Sequence, residues 1–421
     1  MTVIRAAAAG AAVLIALTAC SGQAGNARLD AVDASGDGTL RIGLILDNTG
    51  KQNFLNDSQL AAARLAVQEI NAAGGHKGKP VELLKETVGE DTAAQAHALV
   101  AAKADVVIGP TDSSGAAAAI DVLSKAKITL ISPANTAAAL SKYKSGGYYF
   151  RTAAADVAQA SVLVKLARDG GAKRVSIVYE AGSYGTEVSA AAKAAAGGAG
   201  IEAAPAVEFK PGDARRAVAT VKDAAPDAVI LIAREGAQGA IAELNNAGIS
   251  GKKLILSDGA FNKYGSGLGS SALDGARAVV PGVFPSAPFQ AGLVAVDPGL
   301  KDMTFAAETY DAVNLAALAA EAADDDAGAS VASWLIAVSG GNPVNGGTAG
   351  ASGGSAKVCK TFKECHDAMT SGSAVDYDGE SGAVGFDANG DVTAANYIVF
   401  TYGADNLAKM TGRETAGRTS G

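Results

Sequence analysis

Short apolar runs begin near Val175, Ile201, Ala228 and Leu254, at intervals of 26, 27 and 26 residues. That interval is close to the length of one strand plus one crossover helix. Parallel neighbours need such crossovers, and the helices then cover both faces of the sheet. An earlier series of the same kind starts near Leu40, Val81, Val106 and Thr129. Two series predict two parallel sheets, hence two lobes, joined near Phe150 to Asp156. Residues 40–46 read as a buried strand. The helix after it runs from about Asp57, a residue able to cap it, to Ala72, with Leu60, Ala63, Val67 and Ile70 on one face. Gly74 and Gly75 end it.

Later segments are less regular. A strand is expected over 277–283, an Ala-rich helix over 304–324, a short helix over 330–338 and a Gly-rich loop over 340–355. From 374 to 402, strand-like runs flank an Asn389-Gly390 hairpin signal. The expected division is lobe one over 39–152 plus about 276–340, lobe two over 153–275 plus about 356–402, and a C-terminal tail over 403–421.

Ahead of this body, residues 1–19 carry one charge, Arg5, then a 12-residue small and apolar run from Ala6 to Leu17. The run is too short to span a bilayer but has the length of a signal-peptide core. It closes on Leu17-Thr18-Ala19-Cys20, which resembles a bacterial lipobox. The resemblance implies cleavage before Cys20 and a lipid on its sulfur, with the body at the outer face of the cytoplasmic membrane. Residues 20–38 then read as the lipidated cysteine and a flexible tether.

Two further cysteines, Cys359 and Cys365, have a spacing that permits a small local disulfide in an exported protein. Metal binding with His366 is the rival, though two sulfurs and one imidazole leave a four-ligand zinc site incomplete. The net charge is −8, and without Arg5 it is 34 − 43 = −9. Such a chain gains nothing electrostatically near phosphates, which speaks against nucleic acid as a partner. No phosphate loop, H-E-x-x-H or dinucleotide fingerprint occurs, and no cofactor is expected. Gly350-Ala351-Ser352-Gly353-Gly354 has the spacing of a hydrolase elbow but lies in a Gly-rich loop, not between a strand and a helix. Residues 387–391 have calcium-loop residue types with the glycine too early, and a hairpin turn explains them better. Nothing assembles a nucleophile, base and orienter, so an enzyme is not expected.

Several motifs are shared with one family: RIGLI at 41–45, AVQEINAAGG at 66–75, VIGPTDSS at 107–114, ISPANT at 131–136, YYFRT at 148–152, SYG at 183–185 and DYDGESG at 376–382. In this order and spacing the chain resembles the branched-chain amino-acid-binding proteins of ABC importers, within the type I periplasmic-binding fold. The resemblance implies two Rossmann-like lobes joined by three crossovers, closing on an amino acid or similar small polar solute. It also implies an ABC permease as membrane partner, and the body is expected to act as a monomer. A sensory receptor module of the same fold is the alternative.

By the same resemblance, Ser113, Ala134 and Thr136 hold the ligand's α-carboxylate and share in holding its α-amino group. As residues alone, Ser113 and Thr136 equally suit ordinary helix capping. Tyr184 matches a tyrosine that covers the ligand, and Asp258 an acidic residue on the ammonium, with a turn or cap role open for Asp258. Two positions depart from the family. Arg234 stands where an aromatic is expected, and implies a second anionic group on the ligand, an internal pair with Asp258, or a solvated loop residue. Phe54 is the one aromatic near the position that lines the side-chain pocket, so a branched aliphatic ligand does not follow automatically.

Overall fold

Burial on both faces explains why the strands are continuous apolar runs. In 106–108, Val106 and Ile108 enter one core cluster and Val107 the other, as the two-residue period of a strand requires. The computed structural model describes residues 25–48, 53–87, 91–341 and 356–417. Cys20, the export segment and the Gly-Ala-Ser-Gly-Gly motif lie outside the described residues.

Lobe one is built on β1 (Arg41–Leu44), β2 (Glu82–Leu83), β3 (Val106–Ile108), β4 (Thr129–Ser132) and β5 (Tyr149–Arg151), all parallel in the order β2-β1-β3-β4-β5. Helix α1 (Asn56–Ala72) covers one face, and α2 (Thr92–Ala101) and α3 (Ser113–Lys125) the other. Asp57 does not cap α1. The Asn56 amide instead exchanges hydrogen bonds with the Asp47 backbone (3.0 and 3.2 Å), tying the helix start to the end of β1.

Lobe two alternates α4 (Gln159–Asp169), β6 (Arg174–Glu180), α5 (Ser183–Gly198), β7 (Glu202–Phe209), α6 (Arg215–Asp223), β8 (Ala228–Ile232), α7 (Ala237–Asn246), β9 (Leu254–Leu256) and β10 (Arg277–Pro281). The chain then re-enters lobe one through α8 (Ala287–Val296), α9 (Ala306–Ala323), α10 (Gly328–Val338), β11 (Lys357–Cys359), α11 (Phe362–Thr370), β12 (Val375–Gly379) and β13 (Gly382–Ala383). Two long strands, β14 (Ala394–Tyr402) and β15 (Ala408–Gly417), return to lobe two. Its sheet has the order β15-β14-β10-β9-β8-β6-β7, with β14 antiparallel to both neighbours. The chain thus crosses between lobes three times, along 152–158, 282–286 and 384–393.

Three expected boundaries are corrected. Residues 277–281 belong to lobe two, because β10 pairs with β9 and β14. Residues 357–383 belong to lobe one: Cys359, Phe362, Cys365, Val375 and Tyr377 pack into the cluster that holds α9 and α10. Most of the expected C-terminal tail is β15, whose backbone is paired with β14 along its length.

The tether is corrected as well. From residue 25 the chain lies against lobe one. Arg28, 7% exposed, stacks its guanidinium 4.7 Å from the Phe150 ring centre and donates to the Tyr149 carbonyl. The backbone N–H groups of Ser35 and Gly36 donate to Asp325 (3.2 and 2.9 Å), and those of Asp37 and Gly38 to Asp326 (3.2 and 2.8 Å). A composition rich in Gly, Ala, Asp and Ser without periodicity suggested freedom; two carboxylates accepting four backbone donors remove it.

Cys359 and Cys365 form a disulfide with Cα atoms 5.4 Å apart, spanning the end of β11 and the first turn of α11. His366 stacks on Phe362, and its Nδ1 lies 3.4 Å from Glu321. Among the described residues no group of three or more metal-ligating side chains converges.

Candidate ligand-binding cleft

Two loops at the carboxyl ends of β3 and β4 form the lobe-one wall. Gly109, at φ 126°, begins the first turn, and a Cβ there would meet the Ile45 carbonyl oxygen at 2.3 Å. Only glycine fits, and the tight turn delivers Asp112 as cap and Ser113 as first residue of α3. Ser132 Oγ, at the end of β4, donates to the Pro110 carbonyl (3.0 Å) and accepts from the Asn135 backbone N–H (2.9 Å). The buried Asn135 amide also donates to the Pro110 carbonyl (3.0 Å), so the two loops are one rigid unit. Ser113 Oγ accepts from the Thr136 backbone N–H at 3.2 Å, which brings both predicted hydroxyl residues together, beside Ala134.

The opposite wall comes from lobe two. Tyr184, in the first turn of α5, donates its hydroxyl to Asp258 Oδ1 at 2.5 Å. Gln159 Nε2 donates to the same oxygen at 2.7 Å, while its Oε1 accepts the Asp258 backbone N–H at 3.1 Å. Both side-chain donors therefore use Oδ1 of a carboxylate that lines the cavity. Burial, then the neighbouring Asp258 charge, raises the Tyr184 hydroxyl well above its ordinary range, so it stays a donor at any physiological pH.

Arg234 follows β8. Glu180 fixes its backbone by accepting from the N–H groups of Arg234 (2.8 Å) and Gly236 (2.9 Å). The guanidinium stacks 4.2 Å from the Tyr184 ring centre, a cation–π arrangement, and Nη2 lies 3.5 Å from Asp156 Oδ2. The internal pair is thus with Asp156, not Asp258. Asp156 is 8% exposed, and burial, aided by the Asp258 charge and opposed by Arg234, pushes its carboxyl up to about 6.

Ser113, Ala134, Thr136, Tyr184, Arg234 and Asp258 all line one cavity of about 840 Å³ between the lobes. Phe54 does not. It is 62% exposed on a single turn (Asn53–Leu55) whose buried position is taken by Leu55, and Phe261, Phe284 and Phe305 supply the aromatic lining instead. Sequence reasoning also missed Asp156, Gln159 and Glu308. Asp156 lies at the predicted join of the lobes, which was its only signal; the others start helices from segments without a recognisable motif. Chemically, one wall offers hydroxyls and a helix N-terminus, the other a carboxylate held from behind by two donors.

A family described as periplasmic binding protein matches residues 39–411. The Leu/Ile/Val-binding protein BraC3 of Rhizobium johnstonii is 33% identical over 178 residues, which is 41% of this chain and 48% of that protein. Leu/Ile/Val-binding protein homolog 3 of Brucella melitensis is 30% identical over 181 residues, with 41% and 48% covered. The chain spans about half the length of the curated relatives it matches. Among solved structures, the Streptococcus pneumoniae branched-chain amino acid transporter substrate-binding protein LivJ in complex with isoleucine superposes with TM-score 0.62 at 22% identity, covering 90% of this chain and 100% of that one. An ABC transporter substrate-binding protein from Desulfitobacterium hafniense in complex with Leu gives 0.63 at 21%, covering 89% and 100%. A Rhodopseudomonas palustris (R. palustris) solute-binding protein in complex with benzoate gives 0.57 at 20%, covering 91% and 98%. At these identities the structural likeness establishes the fold, α/β with two parallel-sheet lobes of the type I periplasmic-binding kind.

Proposed function

This chain belongs to the periplasmic binding protein family, and from that premise we propose that it captures an amino acid or similar small polar solute between its lobes. One observation carries the reading. Ser113 and Thr136 from lobe one, and Tyr184 and Asp258 from lobe two, face the same cavity. Hydroxyl and backbone donors on one wall take a carboxylate, while the Asp258 carboxylate takes an ammonium. Tyr184 covers the ligand with its ring face. A ligand so placed bonds to both lobes and stabilises the closed form of a hinge. The names of the curated relatives, Leu/Ile/Val-binding proteins, and the leucine and isoleucine complexes of the structural neighbours support an amino-acid cargo.

Arg234 is better read as a positioning residue than as an anion receptor, since Asp156 neutralises its charge and its flat face holds Tyr184. The lipobox supports anchoring through Cys20, and the likeness to ABC transporter substrate-binding proteins supports delivery to an ABC permease by an extracytoplasmic body. Calorimetry of the body from Ser21 onward against a panel of amino acids tests the site. Asp258→Asn should weaken the tightest ligand at least tenfold; unchanged affinity would overturn the ammonium assignment.

A further inference from the structure

Five carboxylates (Asp112, Asp156, Glu187, Asp258 and Glu308) and one guanidinium, that of Arg234, line the cavity. The guanidinium is already opposed by Asp156. A plain zwitterion brings one ammonium, which Asp258 takes, and one carboxylate, which the lobe-one donors take. Three carboxylates are left over: Asp112, which caps α3, Glu187 on α5, and Glu308.

Glu308 sits in the first turn of α9, held where the lobes hinge. Its carbonyl accepts from Thr152 Oγ1 of the first crossover at 2.8 Å. A Cβ on Gly282 of the second crossover would lie 3.4 Å from its Oε1. Among the described residues no Lys, Arg or His pairs with this carboxylate. Glu308 is half-buried, and a charged group drawn partly out of water without a counter-charge is costly. Burial, opposed by a hydrogen bond from its own backbone N–H and aided by the Asp311 charge on the same helix, pushes the Glu308 carboxyl up to about 7. The other charged groups in this cavity are the four carboxylates named above and Arg234; Thr152 and Gly282 from the crossovers, Ser381 before β13 and Asn396 on β14 are uncharged. The cavity lining also includes Val283 and Phe284 from the second crossover and Met303 and Phe305 just before α9, apolar residues that suit a methylene stem.

Resting on the amino-acid reading above, we infer that the preferred ligand is an amino acid whose side chain ends in a cation, with Glu308 as its counter-charge. The stem lies along the apolar lining and the terminal cation meets the carboxylate at the hinge. Arriving there, it holds Glu308 ionised, so near pH 7 binding expels a proton.

The probes are L-lysine and L-norleucine, which share a four-carbon stem and differ by the terminal ammonium, with L-leucine as a branched control. Calorimetry of the wild-type body should give lysine at least tenfold tighter than norleucine. Lysine binding at pH 7, in buffers of different ionisation enthalpy, should release part of a proton. Both the preference and the release should vanish in Glu308→Gln and be reduced but present in Glu308→Asp, which also serves should the glutamine variant fail to fold. Norleucine or leucine binding as tightly as lysine to the wild type overturns the inference and leaves the amino-acid reading standing, as does a lysine preference that survives in Glu308→Gln. Binding of none of the three overturns this inference, and binding of no amino acid in the wider panel sinks the amino-acid reading as well.

Discussion

Tyr184 carries three interactions on one side chain: its hydroxyl donates to Asp258, accepts from the Gly259 N–H at 3.3 Å, and its ring lies under Arg234. Tyr184→Phe keeps the ring and removes the hydroxyl, leaving Gln159 alone to hold Asp258 Oδ1. A lost hydrogen bond to a charged group costs roughly 1.5–3 kcal/mol, so ligand affinity measured by calorimetry should fall about tenfold or more, a factor of ten being about 1.4 kcal/mol. Glu308 gives a prediction with a pH sign. Its folded pKa, about 7, lies above the ordinary value of 4.5, so the folded state binds more protons between them and loses stability as pH rises. Removing the charge should therefore help only where it exists. Glu308→Gln should raise the ligand-free melting temperature at pH 8 and leave it nearly unchanged at pH 4; a gain of equal size at both would contradict this. At this scale the positions after strands were legible, because hydroxyl and acidic residues just past an apolar run fall at the carboxyl edge of a parallel sheet. Asp156, Gln159 and Glu308 were not, because crossovers and helix starts carry no period that points toward a cavity.

Elements were readable, and their sheet membership was less so. An apolar run such as Ala278-Val279 announces a buried strand, but says nothing of which sheet buries it. The same holds for β14 and β15, whose pairing is antiparallel and local, unlike the 26-residue rhythm before them. The consequence is testable. Ending the chain at Gly403 strips β15 from β14 and exposes a long edge strand over buried Val399 and Ile398. Such a truncation should lower the unfolding temperature of lobe two and raise aggregation, seen by calorimetry and light scattering; normal unfolding would mean that β15 is dispensable. The N-terminal segment misled for a different reason. Its partners, Asp325 and Asp326, lie nearly 290 residues away and grip backbone rather than side chains, so composition held no trace of them.

For the whole molecule, three crossovers and a cavity lined from both lobes define a hinge. Solution scattering should show a smaller radius of gyration on saturation with the tightest amino acid, and no such change for Asp258→Ala at the same concentration. A wild-type protein whose scattering is unaffected by a ligand it binds would argue against closure. The clasp of residues 25–38 on lobe one bears on a different question, that of where encounters happen. With Cys20 acylated as proposed, only five residue steps separate the lipid from Gly25, a reach of at most about 18 Å. Lobe one is thereby moored close to the bilayer, and lobe two is the free arm. On the proposed reading, capture and handover take place within a thin layer, where tethering alone supplies a local concentration on the order of millimolar. A permease meeting its partner there needs only weak intrinsic affinity, and weak affinity is what lets an emptied carrier leave.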